Sequence, residues 1–261
     1  MAKGTKISWT HHTANFWWGC QKVDAGCKNC YAESLSNRYG KKIWGHPATS
    51  EREYKKAIWS DILRWDEQAG KDGVRRRVFI SSMADFLEDH PQVNEWRRDA
   101  ITLLAGLKNL DVLMLTKRPE NAEKFLGVWY YPFKWPEHVW FGASVSEQES
   151  FDKRIGALVA VPSKVHYLSA EPLLGRIEMD LRGANYGINH DTYSEMVDWV
   201  IVGGESQPGC RPMDIEWARD IVEQCRRDGI AVFVKQLGGH PNPRHEIEDL
   251  PKDLQIREFP K

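Results

Sequence analysis

Short runs of apolar and β-branched residues recur along the chain, and most are separated by stretches long enough to form a helix. A run such as 200–202 is apolar at every position, which is typical of a strand buried on both faces of a parallel sheet. Seven runs of apolar and β-branched residues, several of them continuous, predict strands. They lie at residues 6–9, 78–81, 112–116, 139–142, 164–168, 199–202 and 231–234.

Two of the intervening stretches, 94–107 and 214–227, carry apolar residues at helical spacing, and Gly229 follows the second as a stop signal. Repetition of strand, helix and strand predicts an α/β fold, a partial or full parallel (β/α) barrel of six to seven strands. We expect one barrel domain at residues 1–239 and an irregular tail at 240–261 packed on it. We interpret residues 183–196 as an insertion between the fifth and sixth predicted strands, and we expect it to form a lid over the barrel.

Polar residues follow most of the predicted strands, at the point where each strand ends. In a parallel barrel these carboxyl ends meet at one mouth, where binding and catalytic groups lie. The alternative is that loops are polar in any protein. The residues concerned are Asp85, Lys117, Arg118, Ser144, Ser146, Ser169, Glu171, Glu205, Lys235 and Gln236.

Composition indicates a soluble globular protein. The 261 residues include 36 Lys+Arg and 37 Asp+Glu, for a formal net charge of -1, so nucleic-acid binding would need a local basic patch. No run reaches the roughly 18 apolar residues of a membrane helix, and the first residues lack the apolar stretch of a signal peptide. We therefore expect a cytoplasmic protein with no membrane partner.

Three of the five cysteines, Cys20, Cys27 and Cys30, lie within eleven positions. Clustered thiolates need a multivalent cation to offset their repulsion, and a glycine directly before each of the first two lets the backbone bend around an inorganic core. Three thiolates fit a four-iron, four-sulfur cluster with one open iron. A zinc site completed by His11, His12 or His46, or inert thiols, are the alternatives.

Several ordered blocks of the sequence resemble a phage-associated, bacterially widespread family of three-cysteine-motif proteins, itself similar to the radical S-adenosylmethionine (SAM) superfamily and, more distantly, to spore photoproduct lyase. The resemblance spans residues 6–239. It is carried by Trp9, Trp17, Gly19-Cys20, Gly26-Cys27, Cys30-Tyr31-Ala32-Glu33, Thr116-Lys117-Arg118-Pro119, Glu171-Pro172-Leu173-Leu174-Gly175, Gly203-Gly204-Glu205-Ser206, Arg211-Pro212-Met213 and Lys235-Gln236.

The resemblance implies a barrel of the radical SAM type and a division of roles among these residues. The three cysteines would hold the cluster, SAM would chelate its open iron, and an electron from an external donor would release a 5′-deoxyadenosyl radical. The spacing departs from the usual pattern, because six residues separate Cys20 from Cys27 and Asn29 stands where an aromatic residue is common. Tyr31, one position after the last cysteine, is therefore the aromatic candidate for a cofactor contact.

Other cofactor contacts follow from position along the predicted sheet. The superfamily's Gly-Gly-Glu block normally ends the second strand, whereas here that strand ends in Ser81 and Ser82 with Asp85 beyond. These three are the candidates for holding the SAM amino group. Ser144 and Ser146 are candidates for its carboxylate or ribose. Capping of strand ends is the competing interpretation for all five.

The remaining candidates are assigned to the substrate side. Lys117 and Arg118 would bind a carboxylate or phosphate, and Glu205 and Gln236 are further substrate contacts. Catalytic candidates are Glu171, Lys235 and Cys210, the last as a hydrogen-atom donor to a product radical. Glu171 is costly to bury alone, so it either pairs with Lys117, Arg118 or Lys235 or contacts ligand. Lys235 could instead pair with Glu205.

The leading hypothesis is a radical SAM enzyme that acts on a nucleic-acid base or nucleotide, in repair or modification. Its implied partners are nucleic acid or a nucleotide, an external electron donor and a three-cysteine-motif partner protein. The rival is a non-catalytic module, stabilised by zinc or a cluster, that binds nucleic acid or protein.

Overall fold

The computed structural model describes residues 5–130, 132–179, 197–239 and 246–260. Its strands are β1 His12–Ala14, β2 Trp17–Trp18, β3 Glu53–Tyr54, β4 Arg76–Ile80, β5 Leu110–Thr116, β6 Val139–Val145, β7 His166–Ala170, β8 Trp199–Gly203 and β9 Ala231–Gln236. Its α-helices are α1 Tyr31–Arg38, α2 Ala57–Asp72, α3 Asn94–Ala105, α4 Ala122–Leu126, α5 Gln148–Val159 and α6 Ile215–Asp228.

Seven of these strands form one sheet in the order β1-β4-β5-β6-β7-β8-β9, and β2 pairs with β3 in a small antiparallel sheet. The pairs β1–β4, β4–β5, β7–β8 and β8–β9 are parallel. Among the described residues no pairing joins β9 back to β1, so the sheet is open. The predicted α/β class is confirmed as a partial barrel of seven parallel strands.

Six of the predicted strands coincide with observed ones, with ends displaced by up to three residues. The first prediction is wrong: residues 6–9 enter a turn in which the Thr10 N–H donates to the Ile7 carbonyl at 3.3 Å. The strand lies instead at β1, which is short and carries His12 and Thr13. Its pairing comes from β4, with His12 opposite Val78 and Ala14 opposite Ile80. The cysteine region still follows the first strand of the sheet.

The chain divides into two compact units. The first comprises Met1–Val23, Cys30–Phe141 and Pro162–Lys164, and the second comprises Asp24–Asn29, Gly142–Val161 and Val165–Lys261. The expected boundary at residue 239 stays a prediction, because 240–245 lie outside the described residues. The expected lid at 183–196 lies outside them as well.

Aromatic side chains fill the core of the first unit beside the cysteine region. Trp9 and Trp17 are buried, and the Trp17 ring stacks on Phe86 with centroids 5.4 Å apart. Trp9 lies 4.6 Å from Phe79 of β4. Tryptophans near the cysteines are therefore packing residues, as aromatic side chains usually are.

The second unit is built on β7 and β8, which are buried at every position, and on β9, which is buried at four of its six positions. α6 covers them with a strongly amphipathic face, begins where Asp214 accepts the Glu216 N–H at 3.0 Å, and ends at Gly229 with φ 72°. The C-terminal segment 246–260 lies along β9. The Val234 N–H donates to Ile256 at 2.9 Å, and the Glu258 N–H donates to Val232 at 2.8 Å.

Candidate functional site

Three of the predicted cofactor residues meet at the turn that follows β4. They are Ser81 and Ser82, which form the turn, and Tyr31, which hydrogen-bonds to it. Ser81 has φ 70°, which is uncommon for a residue with a side chain and costs about 1–3 kcal/mol. Its N–H donates to the Ala14 carbonyl of β1 at 2.9 Å. The Tyr31 hydroxyl donates to the Ser82 carbonyl at 2.7 Å. Asn15, which the sequence analysis missed, donates to the Ser82 hydroxyl at 3.0 Å and so fixes the turn.

Asp85 uses both carboxylate oxygens within the protein. Oδ1 accepts from the Leu87 N–H at 3.0 Å and from the Thr116 hydroxyl at 2.6 Å. Oδ2 accepts from the Lys117 N–H at 3.0 Å and from the Arg118 guanidinium at 2.8 Å. The side chain is only 7% exposed, so these bonds compensate a buried charge. Contact of Asp85 with a SAM amino group stays a prediction.

Arg118 connects this carboxylate to the first cysteine. Nη1 lies 3.8 Å from Cys20 Sγ, and Nη2 donates to the Gln21 carbonyl at 2.6 Å. Burial lowers the pKa of Arg118, but its interactions with Asp85, Cys20 and Glu88 together outweigh burial and raise the pKa above the ordinary value. Burial raises the pKa of the Cys20 thiol, and Glu88 raises it further, while Arg118 opposes the change. The guanidinium is thus a fixed positive charge beside this sulfur.

Gly19 gives the backbone before Cys20 a shape that a larger residue cannot take. Its φ is 113°, and a Cβ there would lie 2.4 Å from the Ile43 carbonyl oxygen. Its N–H donates to the Met83 carbonyl at 3.0 Å, and the Cys20 carbonyl accepts from the Gly45 N–H at 3.0 Å. Glycine is required at position 19, because both the positive φ and the close approach exclude a side chain. The expected bending of the backbone around an inorganic core stays a prediction, and Gly26, before Cys27, does not have a positive φ.

Cys30 and Cys27 stand on different local structures. Cys30 is the N-cap residue of α1, with extended backbone angles. Cys27 ends a short 3₁₀ turn, Ala25–Cys27, in the second unit. All five cysteines are outside disulfides, so the sulfur atoms can act as thiolate donors. Within the described part of the chain, no three His, Cys, Asp or Glu side chains are already gathered in a metal-holding arrangement.

The residues present fit a thiolate-bound inorganic group in their donor chemistry. Cys20, Cys27 and Cys30 supply three soft donors, the type that holds iron–sulfur clusters. Assignment of the three as ligands stays a prediction from the sequence.

In the second unit, polar groups at the carboxyl ends of four consecutive strands form one network. Glu171 accepts from Lys235 Nζ and, at 3.4 Å, from Gln236 Nε2. Its carbonyl accepts from the Ser144 hydroxyl at 3.0 Å. Gln236 Nε2 also donates to the Gly204 carbonyl at 2.7 Å. Of the pairs considered for Glu171 and Lys235, the structure forms the one between them.

Ser146 differs from the residues of this network in the surroundings of its hydroxyl. Its hydroxyl oxygen is buried and has no hydrogen-bond partner among the residues that the structure describes. Its backbone is fixed, since its N–H donates to the Ser150 hydroxyl at 2.7 Å and its carbonyl accepts from the Leu174 N–H at 2.8 Å. A buried hydroxyl without a partner is unusual in a folded protein and often marks a ligand or water position.

Glu205 lies apart from Lys235 and pairs with Arg211 instead. Its Oε2 accepts from the Arg211 N–H at 2.8 Å and from Asn29 Nδ2 at 2.9 Å, and its Oε1 accepts from the Arg211 guanidinium. Burial alone raises the pKa of Glu205, but the hydrogen bonds from Arg211 and Asn29 outweigh it and lower the pKa below the ordinary value. Cys210, beside Arg211, is half-buried.

A family model matches residues 4–257 of the chain, nearly its whole length. The chain belongs to the DUF5131 family, whose description is "Protein of unknown function". No curated protein sequence shows significant similarity to this DUF5131 chain. The family match agrees in extent with the resemblance drawn from the sequence blocks.

Solved structures of spore photoproduct lyase share the fold of the DUF5131 chain. A cysteine-to-alanine mutant matches with a TM-score of 0.52 at 11% identity, over 88% of this chain and 78% of the other. The same type of mutant "with dinucleoside spore photoproduct" matches with a TM-score of 0.51 at 12% identity, over 95% and 71%. At such identities the likeness shows the fold alone.

Several residues that organise the DUF5131 chain escaped the sequence analysis. Arg52 and Glu88 form a buried bidentate pair at 2.7 and 2.8 Å, and Arg154 binds Asp24 at 2.6 Å. Each pair joins positions at least 36 residues apart, so no local spacing indicates it. Local composition does not indicate the burial of Arg52 either, because Arg52 stands between Glu51 and Glu53 in the sequence. None of the helices in the described ranges is long and apolar enough to cross a membrane.

Proposed function

We propose that this protein is a radical SAM enzyme in which Cys20, Cys27 and Cys30 bind a four-iron, four-sulfur cluster. The observation that carries the proposal is the position of three thiols outside disulfides, within eleven residues, directly after the first strand of a radical SAM-type sheet. Three thiolates would hold such a cluster and would leave one of its irons open to a chelating ligand. When bound, the cluster would supply the electron that cleaves SAM to a 5′-deoxyadenosyl radical.

The first unit supplies side chains that would orient the Cys20 thiolate and contact SAM. Arg118 donates toward Cys20 Sγ, and a charge-assisted N–H···S bond favours the thiolate form. Asp85 holds the guanidinium so that it points at the sulfur. The turn at Ser81 and Ser82, tied to Tyr31, presents a rigid surface next to the cysteine region of the same unit. We assign Ser81, Ser82, Asp85 and Tyr31 to SAM contact.

The second unit supplies polar groups for ligand and substrate. The Ser146 hydroxyl lacks a partner in the described residues, and a SAM carboxylate or ribose hydroxyl would satisfy it. Ser144 shares that role. Glu171 and Lys235 form a pair only about one-fifth exposed, and these two side chains are the proposed catalytic residues that face the substrate. Gln236 adds an amide that can bond to a base edge.

The proposed substrate is a nucleic-acid base or nucleotide. One of the solved structures with a similar fold is a spore photoproduct lyase mutant "with dinucleoside spore photoproduct", which supports a nucleic-acid class of substrate. Lys117 and Arg118 follow β5 and are the proposed contacts for a phosphate, with Glu205 as a further substrate contact. Cys210 would give a hydrogen atom to a product radical. Its S–H bond breaks to leave a thiyl radical, which an electron from an external donor and a proton return to the thiol.

Anaerobic reconstitution with iron and sulfide tests the proposal. The parent protein should turn brown, bind about four irons per chain and release 5′-deoxyadenosine from SAM when a reductant is added. Cys27→Ala should lose both properties. Cys225→Ala is the matched control, because Cys225 is buried on α6 and its thiol serves the core. A colourless parent with one tightly held zinc and no SAM cleavage would favour the non-catalytic module.

The substrate class needs a separate measurement. At moderate salt the reconstituted protein should bind a thymine-containing oligonucleotide more tightly than it binds a mixture of free nucleotides of the same composition. Affinity that falls with added salt would indicate phosphate contacts, and charge-removing variants of Lys117 should flatten that dependence. SAM cleavage without any nucleic-acid or nucleotide affinity would overturn the substrate class and leave the reaction class standing.

A further inference from the structure

The stretch Asp24–Asn29, here called the Cys27 segment, belongs to the second unit while its chain neighbours on both sides belong to the first. Its own structure is minimal. The Cys27 N–H donates to the Asp24 carbonyl at 3.1 Å, and the Lys28 N–H donates to the Ala25 carbonyl at 3.2 Å. Asp24 is the N-cap residue without a side-chain cap bond. One such 3₁₀ turn is too short to be stable alone, so its conformation depends on outside contacts.

Those contacts come from the second unit and grip the segment at both ends. At the start, Arg154 of α5 binds the Asp24 carboxylate at 2.6 Å, and Arg211 Nη1 donates to the Ala25 carbonyl at 2.9 Å. At the other end, Asn29 Nδ2 donates to the Glu205 carboxylate at 2.9 Å and to the Gly209 carbonyl at 3.1 Å. Gln207 Nε2 donates to the Asn29 carbonyl.

Glu205 lies at the centre of this arrangement. Its side chain is 3% exposed, and its two oxygens accept from Asn29, from the Arg211 backbone and from the Arg211 guanidinium. Arg211 is therefore oriented by Glu205 while it reaches the Ala25 carbonyl. A buried carboxylate with this many donors is both compensated and rigid.

The two glycines before Glu205 fix its backbone. A Cβ on Gly204 would lie 2.5 Å from the Gly238 nitrogen, so the chain after β8 runs directly against the chain after β9. The Gly239 N–H donates to the Glu205 carbonyl at 3.1 Å. The Gly203-Gly204-Glu205 block thus anchors a carboxylate at one place, from which it reaches the Cys27 segment.

We infer that Glu205, through Arg211 and Asn29, is a positioning residue that sets the conformation of the Cys27 segment and the presentation of the Cys27 thiol. This role is distinct from the substrate contact proposed for Glu205 above. The consequence for the cluster rests on the proposed function. The positioning of the thiol itself does not, and it can be measured on the metal-free chain.

The test is the labelling rate of each cysteine by a maleimide, resolved by peptide mass spectrometry on the full chain without metal. Glu205→Gln keeps the shape but removes the charge, and Cys27 should react about tenfold faster than in the parent, as expected for loss of a charge-assisted bond. Buried Cys225 should keep its rate, so the ratio of the two rates separates positioning from general destabilisation. Arg211→Ala should act in the same direction and Arg211→Lys less strongly.

Two further variants keep the test decisive. Asp253→Asn removes the carboxylate of an exposed pair with Arg219 in the same unit and should leave the Cys27 rate unchanged. If Glu205→Gln speeds all five cysteines alike, Asn29→Ala decides, because it deletes only the amide: selective acceleration of Cys27 supports the inference. Unchanged Cys27 labelling in both Glu205→Gln and Asn29→Ala overturns it.

Reconstitution then separates this inference from the proposed function. If the parent binds a cluster, Glu205→Gln should lose iron to a chelator faster and show an altered electron paramagnetic resonance spectrum, whereas Asp253→Asn should match the parent. A parent that binds no cluster refutes the proposed function. The labelling result on the metal-free chain stands in either case.

Discussion

Replacing Asp85 with asparagine removes a charge from the buried pair with Arg118 and keeps the size of the side chain. The two side chains are 7% and 9% exposed, so water cannot replace the lost carboxylate. Breaking one partner of a buried pair typically costs about 3–5 kcal/mol. Each of the two Asp85 carboxylate oxygens accepts two hydrogen bonds. In asparagine an NH₂ group replaces one of these oxygens and faces two donors, which adds to the loss of stability.

We therefore expect Asp85→Asn to lower the free energy of unfolding by about 3–5 kcal/mol in urea titrations followed by tryptophan fluorescence. Arg118→Gln should have a similar effect, and the double variant should lose less than the sum because the two side chains act together. The control is Arg64→Gln, whose pair with Asp61 is exposed and contributes under about 1 kcal/mol. An Asp85→Asn protein that unfolds like the parent but no longer binds SAM would refute this structural role and place Asp85 in the ligand site.

Three further substitutions test other parts of the first unit. Arg52→Met leaves Glu88 buried without its bidentate partner and should cost about 3–5 kcal/mol in the same titration, most of which Arg52→Met with Glu88→Leu should restore. Gly19→Ala forces a side chain against backbone at φ 113° and should lower the melting temperature more than Gly40→Ala, where φ is 70° but nothing lies within 4 Å; equal losses would contradict the steric argument. His12 has its pKa lowered from 6.5 to about 4, first by burial, so the unfolded chain binds a proton before the folded one and stability should fall as pH drops from 6.5 to 4. His12→Gln should reduce that pH dependence, and an identical slope in both proteins would refute the assignment.

The strand pattern was largely predictable because burial dictates it. Runs such as Trp199–Gly203 are apolar at every position, and the structure buries all of them. The strand at His12–Ala14 was not predictable in this way, since its residues are mostly polar and its pairing is supplied by β4. Local composition identifies a strand that brings its own apolar surface and misses one that borrows a neighbour's.

Candidate site residues were found by type and position, but their partners were not. Asp85 and Arg118 lie 33 residues apart, and Asn29 and Glu205 lie 176 apart. Whether a carboxylate at a strand end meets ligand or another side chain depends on which loops fold over it, and a single sequence carries no record of that. The Glu171–Lys235 pair was among the alternatives because each charge needed a partner.

The segment 246–260 determines how the last strand of the sheet meets other molecules. Outward-facing backbone groups on the final strand of an open sheet can pair with a strand of a second chain, which leads to association between copies. Here Ile256 and Glu258 already form hydrogen bonds with backbone groups of β9. Trp199 Nε1 donates to the Glu258 carbonyl at 2.9 Å and so holds this segment against the sheet. We therefore expect a chain shortened before this segment to associate through β9, even with every residue of the cysteine region intact.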